Sequence, residues 1–232
     1  MAKIKETAKV VCQQQLAADV FSMWIHTPQI AGEAKAGQFI SVYTKDGSKL
    51  LPRPISLCEI DKEQGNLRIV YRVVGAGTKE FSGYEAGADI DILGPLGNGF
   101  MLQEGSAMLI AGGIGIPPMV ELAKELKQAG VNDIRAVVGY RDADTFLIKE
   151  LEACGQVYIA TEDGSVGTKG NVLNAIAEQE LLADTIYACG PMPMLRAVKA
   201  FGNEHQIKTQ ISLEERMACG VGACLGCVCQ SK

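Results

Sequence analysis

Residues 107–119 read Ala-Met-Leu-Ile-Ala-Gly112-Gly113-Ile-Gly115-Ile-Pro-Pro-Met, a short apolar run followed at once by three glycines and two prolines. The apolar run is typical of a buried strand, and the prolines suit the first turn of a helix, where no backbone N–H is needed. Glycines at such a junction let a dinucleotide approach the backbone closely. We therefore predict a nucleotide-binding loop at Gly112, Gly113 and Gly115, with a simple tight turn as the alternative.

Strand and helix patterns alternate from this loop towards the C-terminus. Strands are predicted at 134–140, 156–161 and 185–189, and helices at 118–129, near 146–153, at about 172–182 and at 192–204. Such alternation predicts a doubly wound parallel sheet. A second glycine-containing junction, Cys189-Gly190-Pro191, follows the last of these strands. Because ligands of such sheets bind at the carboxyl ends of the strands, we expect the two junctions to border one cleft.

The first hundred residues follow a different rhythm. Short segments alternate apolar and polar residues between Gly, Asp and Pro turns, as in Leu67, Ile69 and Tyr71 against Arg68 and Arg72. Several short strands without long helices predict an antiparallel barrel. The chain is thus predicted to combine a β-barrel at residues 1–101, an α/β domain at 102–212 and a cysteine-rich segment at 213–232.

The cysteine-rich segment contains Cys219-Gly-Val-Gly-Ala-Cys224-Leu-Gly-Cys227. This C-x4-C-x2-C spacing is that of plant-type [2Fe–2S] loops, and the glycines let the backbone wrap a cluster. A cluster needs four ligands, whereas only Cys229 follows, two residues after Cys227. We expect a longer chain to supply the fourth ligand. A zinc site and free buried thiols are the alternatives.

A second candidate site begins at Arg53-Pro54-Ile55-Ser56, on a predicted barrel strand. The arginine fork matches a pyrophosphate and the serine is a small hydrogen-bond donor, although an Arg-Pro pair is more often an ordinary edge-strand element. Tyr71-Arg72 and the glycine-rich turn before Thr78 strengthen the case, because a helix start suits a phosphate. Together these residues predict a site for a flavin nucleotide.

Composition excludes several classes of protein. The formal net charge is −5 and no lysine–arginine block occurs, which argues against nucleic-acid binding. No apolar run is long enough for a membrane helix, and the first residues do not resemble a signal peptide. We expect a cytoplasmic protein that does not bind membranes. Clustered cytosolic thiols favour metal binding over disulfides.

Nearly the whole chain resembles a flavoprotein of the ferredoxin-reductase type, with an FAD-binding barrel and an NAD(P) domain. With its cysteine loop it is most similar to the electron-transfer subunits of class 1B, NAD-dependent dihydroorotate dehydrogenases. The family pattern R-P-x-S falls on Arg53 to Ser56, which implies that Arg53 meets the FAD pyrophosphate and Ser56 the reactive flavin nitrogen. Further flavin contacts fall on Val70 to Arg72 and on Gly77 with Thr78, and the cluster ligands on Cys219, Cys224 and Cys227.

The resemblance also implies a function and a partner. Electrons from dihydroorotate would leave an FMN in a separate catalytic subunit and pass through [2Fe–2S] and FAD to NAD, in pyrimidine biosynthesis. FAD is needed because a cluster moves one electron at a time and NAD takes two. We expect a heterotetramer of two plus two subunits. The rivals are a related reductase subunit, such as an NADPH:ferredoxin transhydrogenase or a sulfide or sulfite enzyme, and a non-catalytic redox sensor.

The residues after the third strand of the α/β domain bear on the choice between NAD and NADP. In similar reductases this stretch meets the adenosine ribose, and here residues 160–164 read Ala-Thr-Glu162-Asp163-Gly. Two carboxylates would repel a 2′-phosphate and can accept hydrogen bonds from ribose hydroxyls. We therefore predict NAD, although Lys169 or Arg141 would weaken the argument if either folded back onto this loop.

Overall fold

A computed structural model describes residues 3–215 and 217–228 of the chain. The described chain divides into two compact units, one made of residues up to 99 together with those from 215 onward, the other of residues 100–214. Cys229 lies outside the described residues. The predicted fold class, an antiparallel barrel followed by a parallel α/β sheet, is confirmed. The functional boundaries predicted above, 1–101, 102–212 and 213–232, stay a prediction.

The first unit is a closed six-stranded antiparallel barrel with strand order β1-β2-β5-β4-β3-β6. Its strands are β1 (Ile4–Ala17), β2 (Val20–His26), β3 (Phe39–Val42), β4 (Arg53–Asp61), β5 (Asn66–Arg72) and β6 (Asp89–Leu96). Two short helices accompany them, α1 (Pro28–Glu33) and α2 (Ala76–Phe81). The glycine-rich turn therefore does open a short helix, directly after β5.

Alternate residues along the strands fill the interior of the barrel. Met23, Ile25, Leu67, Ile69 and Tyr71 all belong to its buried core, and the strand alternation places the residues between them on the other face, where Arg68 and Val70 are buried as well. Full burial of one such side chain is worth about 1.5–3 kcal/mol, so a shift of register by one residue would be strongly disfavoured. The period-two pattern read from the sequence is thus the pattern that fills the barrel.

The second unit is a six-stranded sheet of order β10-β9-β8-β7-β11-β12, with every neighbouring pair parallel. Its strands are β7 (Ala107–Gly112), β8 (Ile134–Tyr140), β9 (Gln156–Thr161), β10 (Thr168–Lys169), β11 (Thr185–Cys189) and β12 (Lys208–Ser212). Its helices are α3 (Pro117–Gln128), α4 (Ile148–Glu152), α5 (Val172–Glu178) and α6 (Met192–Glu204). The chain order reverses beside β7, which makes the edge between β7 and β11 the topological switch point.

Two helices differ from their predicted lengths for a local reason. α4 begins only at Ile148 because Leu147 adopts a left-handed backbone conformation, and α5 ends at Glu178 shortly before Glu180, which is also left-handed. A residue with positive φ cannot continue a right-handed helix. The strands β10 and β12 were not predicted. In the part of the chain that the structure describes, no helix is long and apolar enough to cross a membrane.

Candidate functional site

Arg53 and Gly77 are brought into contact on the barrel unit. Arg53 begins β4 and Gly77 lies in the first turn of α2, yet a Cβ added to Gly77 would lie 2.2 Å from Arg53 Nε and 2.5 Å from its Cζ. The guanidinium therefore occupies the space that any side chain at position 77 would take. Arg53 Nη1 also donates a hydrogen bond to the backbone oxygen of Leu51. Two predicted flavin-site residues, distant in sequence, thus share one surface.

The Thr78 side chain makes hydrogen bonds that stabilise the same turn. Its Oγ1 accepts hydrogen bonds from the backbone nitrogens of Val74, at 3.0 Å, and Gly75, at 3.3 Å, and donates to the Gly75 oxygen. Gln13 supports the other end of α2, since its Nε2 donates to the backbone oxygen of Phe81 at 3.1 Å. The helix that carries Gly77 is therefore held at both ends.

Arg72 supplies a second guanidinium. Its Nε lies 3.3 Å from Asp19 Oδ2, yet this buried atom makes no hydrogen bond within the described residues. A buried donor left without a hydrogen bond is costly, and an added acceptor would relieve that cost. Arginine forks pair well with phosphate oxygens. These donors are compatible with the pyrophosphate of a flavin dinucleotide, and the assignment of Arg53 and Arg72 to it stays a prediction.

The other predicted flavin contacts divide between the two faces of the barrel wall. Ile55 and Tyr71 belong to the buried core, and the Tyr71 hydroxyl donates to Gln13 Oε1 at 2.7 Å. The alternation of a strand therefore turns Pro54, Ser56 and Val70 to the outer face. A ligand on that face can meet the side chains of Pro54 and Ser56, whereas Val70 is only 2% exposed and Tyr71 turns its ring to the core. The aromatic ring does not join the outer surface.

The two glycine junctions of the α/β unit meet at the switch point. Ala111 and Cys189 are paired residues at the ends of β7 and β11, and a Cβ on Gly115 would lie only 2.3 Å from the Cys189 backbone oxygen. A Cβ on Gly190, whose φ is +151°, would lie 3.0 Å from Gly112 N. Gly112 in turn faces Pro191, with a would-be Cβ 3.3 Å from its Cδ. Backbone lines this cleft because side chains do not fit, which suits close approach of a dinucleotide.

The Cys189 thiol is buried beside this cleft. Burial raises its pKa to about 12, and the charge of Glu214 adds to the rise, while a hydrogen bond with Ser212 opposes it. Cys189 is therefore a neutral thiol at physiological pH. It can act as a small packing group or weak hydrogen-bond donor, not as a thiolate.

The loop after β9 contains two carboxylates, Glu162 and Asp163, which differ in their hydrogen bonds. Asp163 Oδ1 accepts hydrogen bonds from Ser165 N at 2.9 Å and Ser165 Oγ at 2.7 Å, and these bonds lower the Asp163 pKa. Glu162 is exposed. Lys169 packs its stem against the loop, since a Cβ on Gly164 would lie 3.0 Å from Lys169 Cγ. The aliphatic stem of Lys169 therefore lies against the predicted ribose loop, and the backbone oxygen of Arg141 accepts a hydrogen bond from Asp163 N at 3.4 Å.

Backbone N–H groups converge on the sulfur of Cys219. Val221 N and Cys224 N donate to Cys219 Sγ at 3.4 and 3.5 Å. Hydrogen bonds from Cys224 and Val221, with further ones from the Cys224 thiol and Ala223 N, lower the Cys219 pKa to about 6. A sulfur surrounded by amide donors is the environment of a thiolate that binds iron. The segment therefore fits a cluster ligand at Cys219.

Within the described residues, Cys227 does not join Cys219 and Cys224 in a group that could hold a metal ion. No group of three cysteine, histidine or acidic residues within 3–215 and 217–228 lies close enough to hold a metal ion. Cys219, Cys224 and Cys227 are all free thiols there, and Cys224 is exposed. The assignment of three cluster ligands stays a prediction. The described residues end at 228, so the prediction of a fourth ligand is not tested by them.

The cysteine segment packs directly on the barrel. A Cβ on Gly220 would lie 3.0 Å from both Ser41 Oγ and Leu96 Cδ1, and Lys3 Nζ donates to the Val221 oxygen at 2.9 Å. Ser41 lies on β3 and is paired with Pro54 of the Arg-Pro-Ile-Ser strand. Paired residues of antiparallel strands have Cα atoms about 4.5–5.5 Å apart. The residue after Cys219 is therefore one strand away from the predicted flavin site.

Sequence reasoning missed residues that complete these sites, namely Gln13, Asp19, Ser41, Glu80 and Ser165. Four of them contact a predicted site residue or the residue next to one, whereas Glu80 contacts Lys45 in the loop before Arg53. Most of these contacts join residues far apart in the chain, so no spacing signals them. Only Ser165, two residues after Asp163, belongs to a local turn pattern that the sequence displays.

Comparison with known families agrees with this geometry. Residues 109–200 match the family described as "Oxidoreductase NAD-binding domain", and residues 214–232 match "Iron-sulfur cluster binding domain of dihydroorotate dehydrogenase B". Two curated relatives are named "Dihydroorotate dehydrogenase B (NAD(+)), electron transfer subunit". The protein from Listeria monocytogenes serotype 4a is 45% identical over 95% of this chain and 87% of its own length. That from Geobacillus thermodenitrificans is 42% identical over 97% and 89%.

Solved structures are similar as well. The structure titled "Insights into flavin-based electron bifurcation via the NADH-dependent reduced ferredoxin-NADP oxidoreductase structure" has a TM-score of 0.87 and 32% identity, over 96% of this chain and 81% of that chain. Phthalate dioxygenase reductase, at 22% identity and a TM-score of 0.68 over 89% and 68%, shares the fold.

The barrel, the switch-point cleft and the cysteine segment together define an electron-transfer oxidoreductase of the flavin reductase class, with FAD, NAD and a [2Fe–2S] cluster as cofactors. Identity of 40–45% along nearly the whole chain narrows the class further. The chain belongs to the family of electron transfer subunits of dihydroorotate dehydrogenase B (NAD(+)).

Proposed function

We propose that this chain carries electrons released by dihydroorotate oxidation from a catalytic partner subunit to NAD. The partner holds FMN, and two copies of each subunit form the complex. Oxidation of dihydroorotate to orotate releases two electrons and two protons, and NAD⁺ takes up the electrons with one proton as a hydride. The cluster and FAD, when bound, supply the change from one-electron to two-electron transfer.

One observation carries the proposal, the packing of Gly220 on Ser41 of β3. Gly220 follows Cys219, and Ser41 is paired with Pro54, two residues before Ser56. This contact supports a short path between a cluster at the cysteines and a flavin ring at Ser56.

The residues of the chain bind and orient the redox groups and move no proton themselves. The guanidinium groups of Arg53 and Arg72 neutralise the FAD pyrophosphate. The backbone at Gly112, Gly115 and Gly190 admits the nucleotide. The raised pKa of Cys189 keeps a negative charge away from the nucleotide cleft. The cytoplasmic location expected from the sequence stays a prediction.

The decisive experiment is purification of this chain with the subunit encoded beside it, followed by a dihydroorotate:NAD⁺ assay. The complex should reduce NAD⁺ with dihydroorotate, and each subunit alone should not. Gel filtration with light scattering then measures the two-plus-two stoichiometry. A complex that binds FAD and iron but ignores dihydroorotate contradicts the proposal.

A second candidate is supported by the similarity to the ferredoxin-NADP oxidoreductase structure. In that case electrons would pass between a ferredoxin and a nicotinamide nucleotide. Reduction of ferredoxin by the purified chain, without any dihydroorotate-oxidising partner, would favour this candidate. A non-catalytic redox sensor would lack flavin absorption altogether.

A further inference from the structure

Glu80, on the outer side of α2, is the centre of a cluster of hydrogen bonds that the mechanism above does not use. Its Oε1 accepts from the backbone nitrogen of Lys45 at 2.7 Å and from the Tyr84 hydroxyl at 2.8 Å. Its Oε2 accepts from Lys49 Nζ at 3.1 Å. The side chains of Glu80 and Lys49 are only 19% and 22% exposed, so this ion pair is shielded more than an ordinary surface pair.

Lys45 and Lys49 belong to the loop 43–52 between β3 and β4. This loop folds on itself, because Lys49 Nζ also lies 3.2 Å from Asp46 Oδ2 and Ser48 N donates to Asp46 Oδ1 at 2.9 Å. It has little apolar anchorage at its far end, where Leu50 is 84% exposed. The contacts with Glu80, together with Lys45 Nζ at 5.0 Å from the centre of the Tyr84 ring, therefore attach this loop to α2 and to the residues just after it.

The same loop controls the orientation of Arg53. The Arg53 guanidinium is held between the Leu51 oxygen, to which it donates a hydrogen bond, and Gly77 on α2. Glu80 lies on that same short helix. A shift of the loop relative to α2 would therefore pull the guanidinium away from Gly77.

Charge keeps this attachment in place at neutral pH. Burial raises the pKa of Glu80, but hydrogen bonds from Lys45 N, the Tyr84 hydroxyl and Lys49 outweigh it and lower the pKa below its usual range. The hydrogen bond to Glu80 raises the pKa of Lys49. Both partners are thus charged, and each strengthens the hold of the other.

We propose that Glu80 is a positioning residue of the FAD site: by clamping the loop 43–52 to α2 it fixes Arg53 over Gly77 and slows the release of FAD. The inference rests on the proposed assignment of FAD to this surface. Glu80 touches no cofactor itself. Its loss should act on FAD release far more than on the stability of the protein without FAD.

The test compares Glu80→Gln with Glu85→Gln, an equal change of charge at an exposed glutamate five residues further on. FAD release is followed by the rise in flavin fluorescence on dilution, and the melting temperature is measured on the FAD-free protein. We expect FAD release to accelerate about tenfold in Glu80→Gln, with only a small fall in the melting temperature of the FAD-free protein, and both quantities to stay unchanged in Glu85→Gln. Lys49→Met should reproduce the faster release, and combining it with Glu80→Gln should add little.

The outcomes separate the clamp from the cofactor assignment. Equal release rates for the two glutamate variants would overturn the clamp. So would a loss of folding free energy in the FAD-free Glu80→Gln protein as large as the change in the activation free energy of FAD release. Wild-type protein that binds no FAD would instead overturn the proposed function. Should Glu80→Gln not fold, Lys49→Met alone decides, since normal FAD release in that variant also contradicts the proposal.

Discussion

The guanidinium of Arg53 lies where a side chain at position 77 would be, with Nε 2.2 Å from a Cβ built on Gly77. Strand β4 and helix α2 can therefore share a cation only because residue 77 is glycine. The contact joins two residues that sequence reasoning had assigned to a flavin site from separate motifs. It also makes the site sensitive to the addition of one methyl group.

Gly77→Ala should weaken FAD binding without unfolding the barrel. The methyl group displaces the far end of a flexible arginine side chain, so the cost in folding free energy should be about 1 kcal/mol or less, while the pyrophosphate loses its cation. FAD content after purification and the dissociation constant are the measurements. Gly75→Ala is the control, because a Cβ there meets nothing within 4 Å. Equal FAD affinity in the two variants would contradict the role of Arg53.

Gly115→Ala should destabilise the α/β unit by about 1–3 kcal/mol and abolish nucleotide binding, since its Cβ would lie 2.3 Å from the Cys189 backbone oxygen. Gly112→Ala provides the comparison: its Cβ would lie 3.0 Å from the thioether of Met194 and 3.3 Å from Pro191 Cδ, side-chain contacts that are less severe than a clash with backbone. Thermal unfolding and NADH titration measure both effects. The cleft is misassigned if Gly112→Ala proves the more damaging of the two.

Replacement of Cys219, Cys224 or Cys227 by serine should remove most of the iron from the anaerobically purified protein. A [2Fe–2S] centre gives about two irons and two sulfides per cluster, and each thiolate ligand is needed to hold it. Cys12→Ser, at an exposed cysteine of β1, should leave the iron content unchanged. Stoichiometric zinc without sulfide would assign the cysteines to a structural metal site instead.

NADH should be preferred over NADPH in a diaphorase assay, and Glu162 should carry most of that preference. Both carboxylates are exposed, but Asp163 Oδ1 already accepts two hydrogen bonds from Ser165. Glu162→Gln should raise kcat/KM for NADPH on the order of tenfold, about 1.4 kcal/mol, by removing a repulsive charge. Lys169→Ala should lower it, because the Lys169 stem lies against this loop. Equal kcat/KM for the two nucleotides in the wild type would favour the transhydrogenase-like rival.

The free energy of unfolding should depend on pH through Asp184, which directly precedes strand β11 of the parallel sheet. Its Oδ2 accepts hydrogen bonds from Ser106 N and Ser106 Oγ, both at 2.7 Å, and these lower its pKa. A carboxylate with a lowered folded-state pKa stabilises the protein above the ordinary value of about 3.9, and this contribution is lost as pH falls through the folded-state pKa. Asp184→Asn should therefore lower the melting temperature at pH 7, with a difference from wild type that shrinks below about pH 4. A difference independent of pH would assign the effect to packing.

Much of the fold could be predicted because its signals are local. The strands 134–140, 156–161 and 185–189 and the helix 192–204 coincide with β8, β9, β11 and α6, since each carries a complete periodic pattern between clear turn residues. The two-residue strand β10 carries no period at all. Strand β12, at Lys208–Ser212, contains a single apolar residue, Ile211, and is only half-buried at the sheet edge, so it lacks the apolar run by which the other parallel strands were found.

By itself, the sequence determined the order of elements, the glycine junctions and the spacing of the cysteines, because backbone freedom and ligand spacing are properties of neighbouring residues. Only the tertiary structure decided that the Tyr71 ring faces the core and that Gly220 rests on Ser41. It also decided that Glu80 holds the loop before Arg53. Most of these facts depend on which residues the closed barrel brings together across tens of positions in the chain, and no local pattern encodes such a contact.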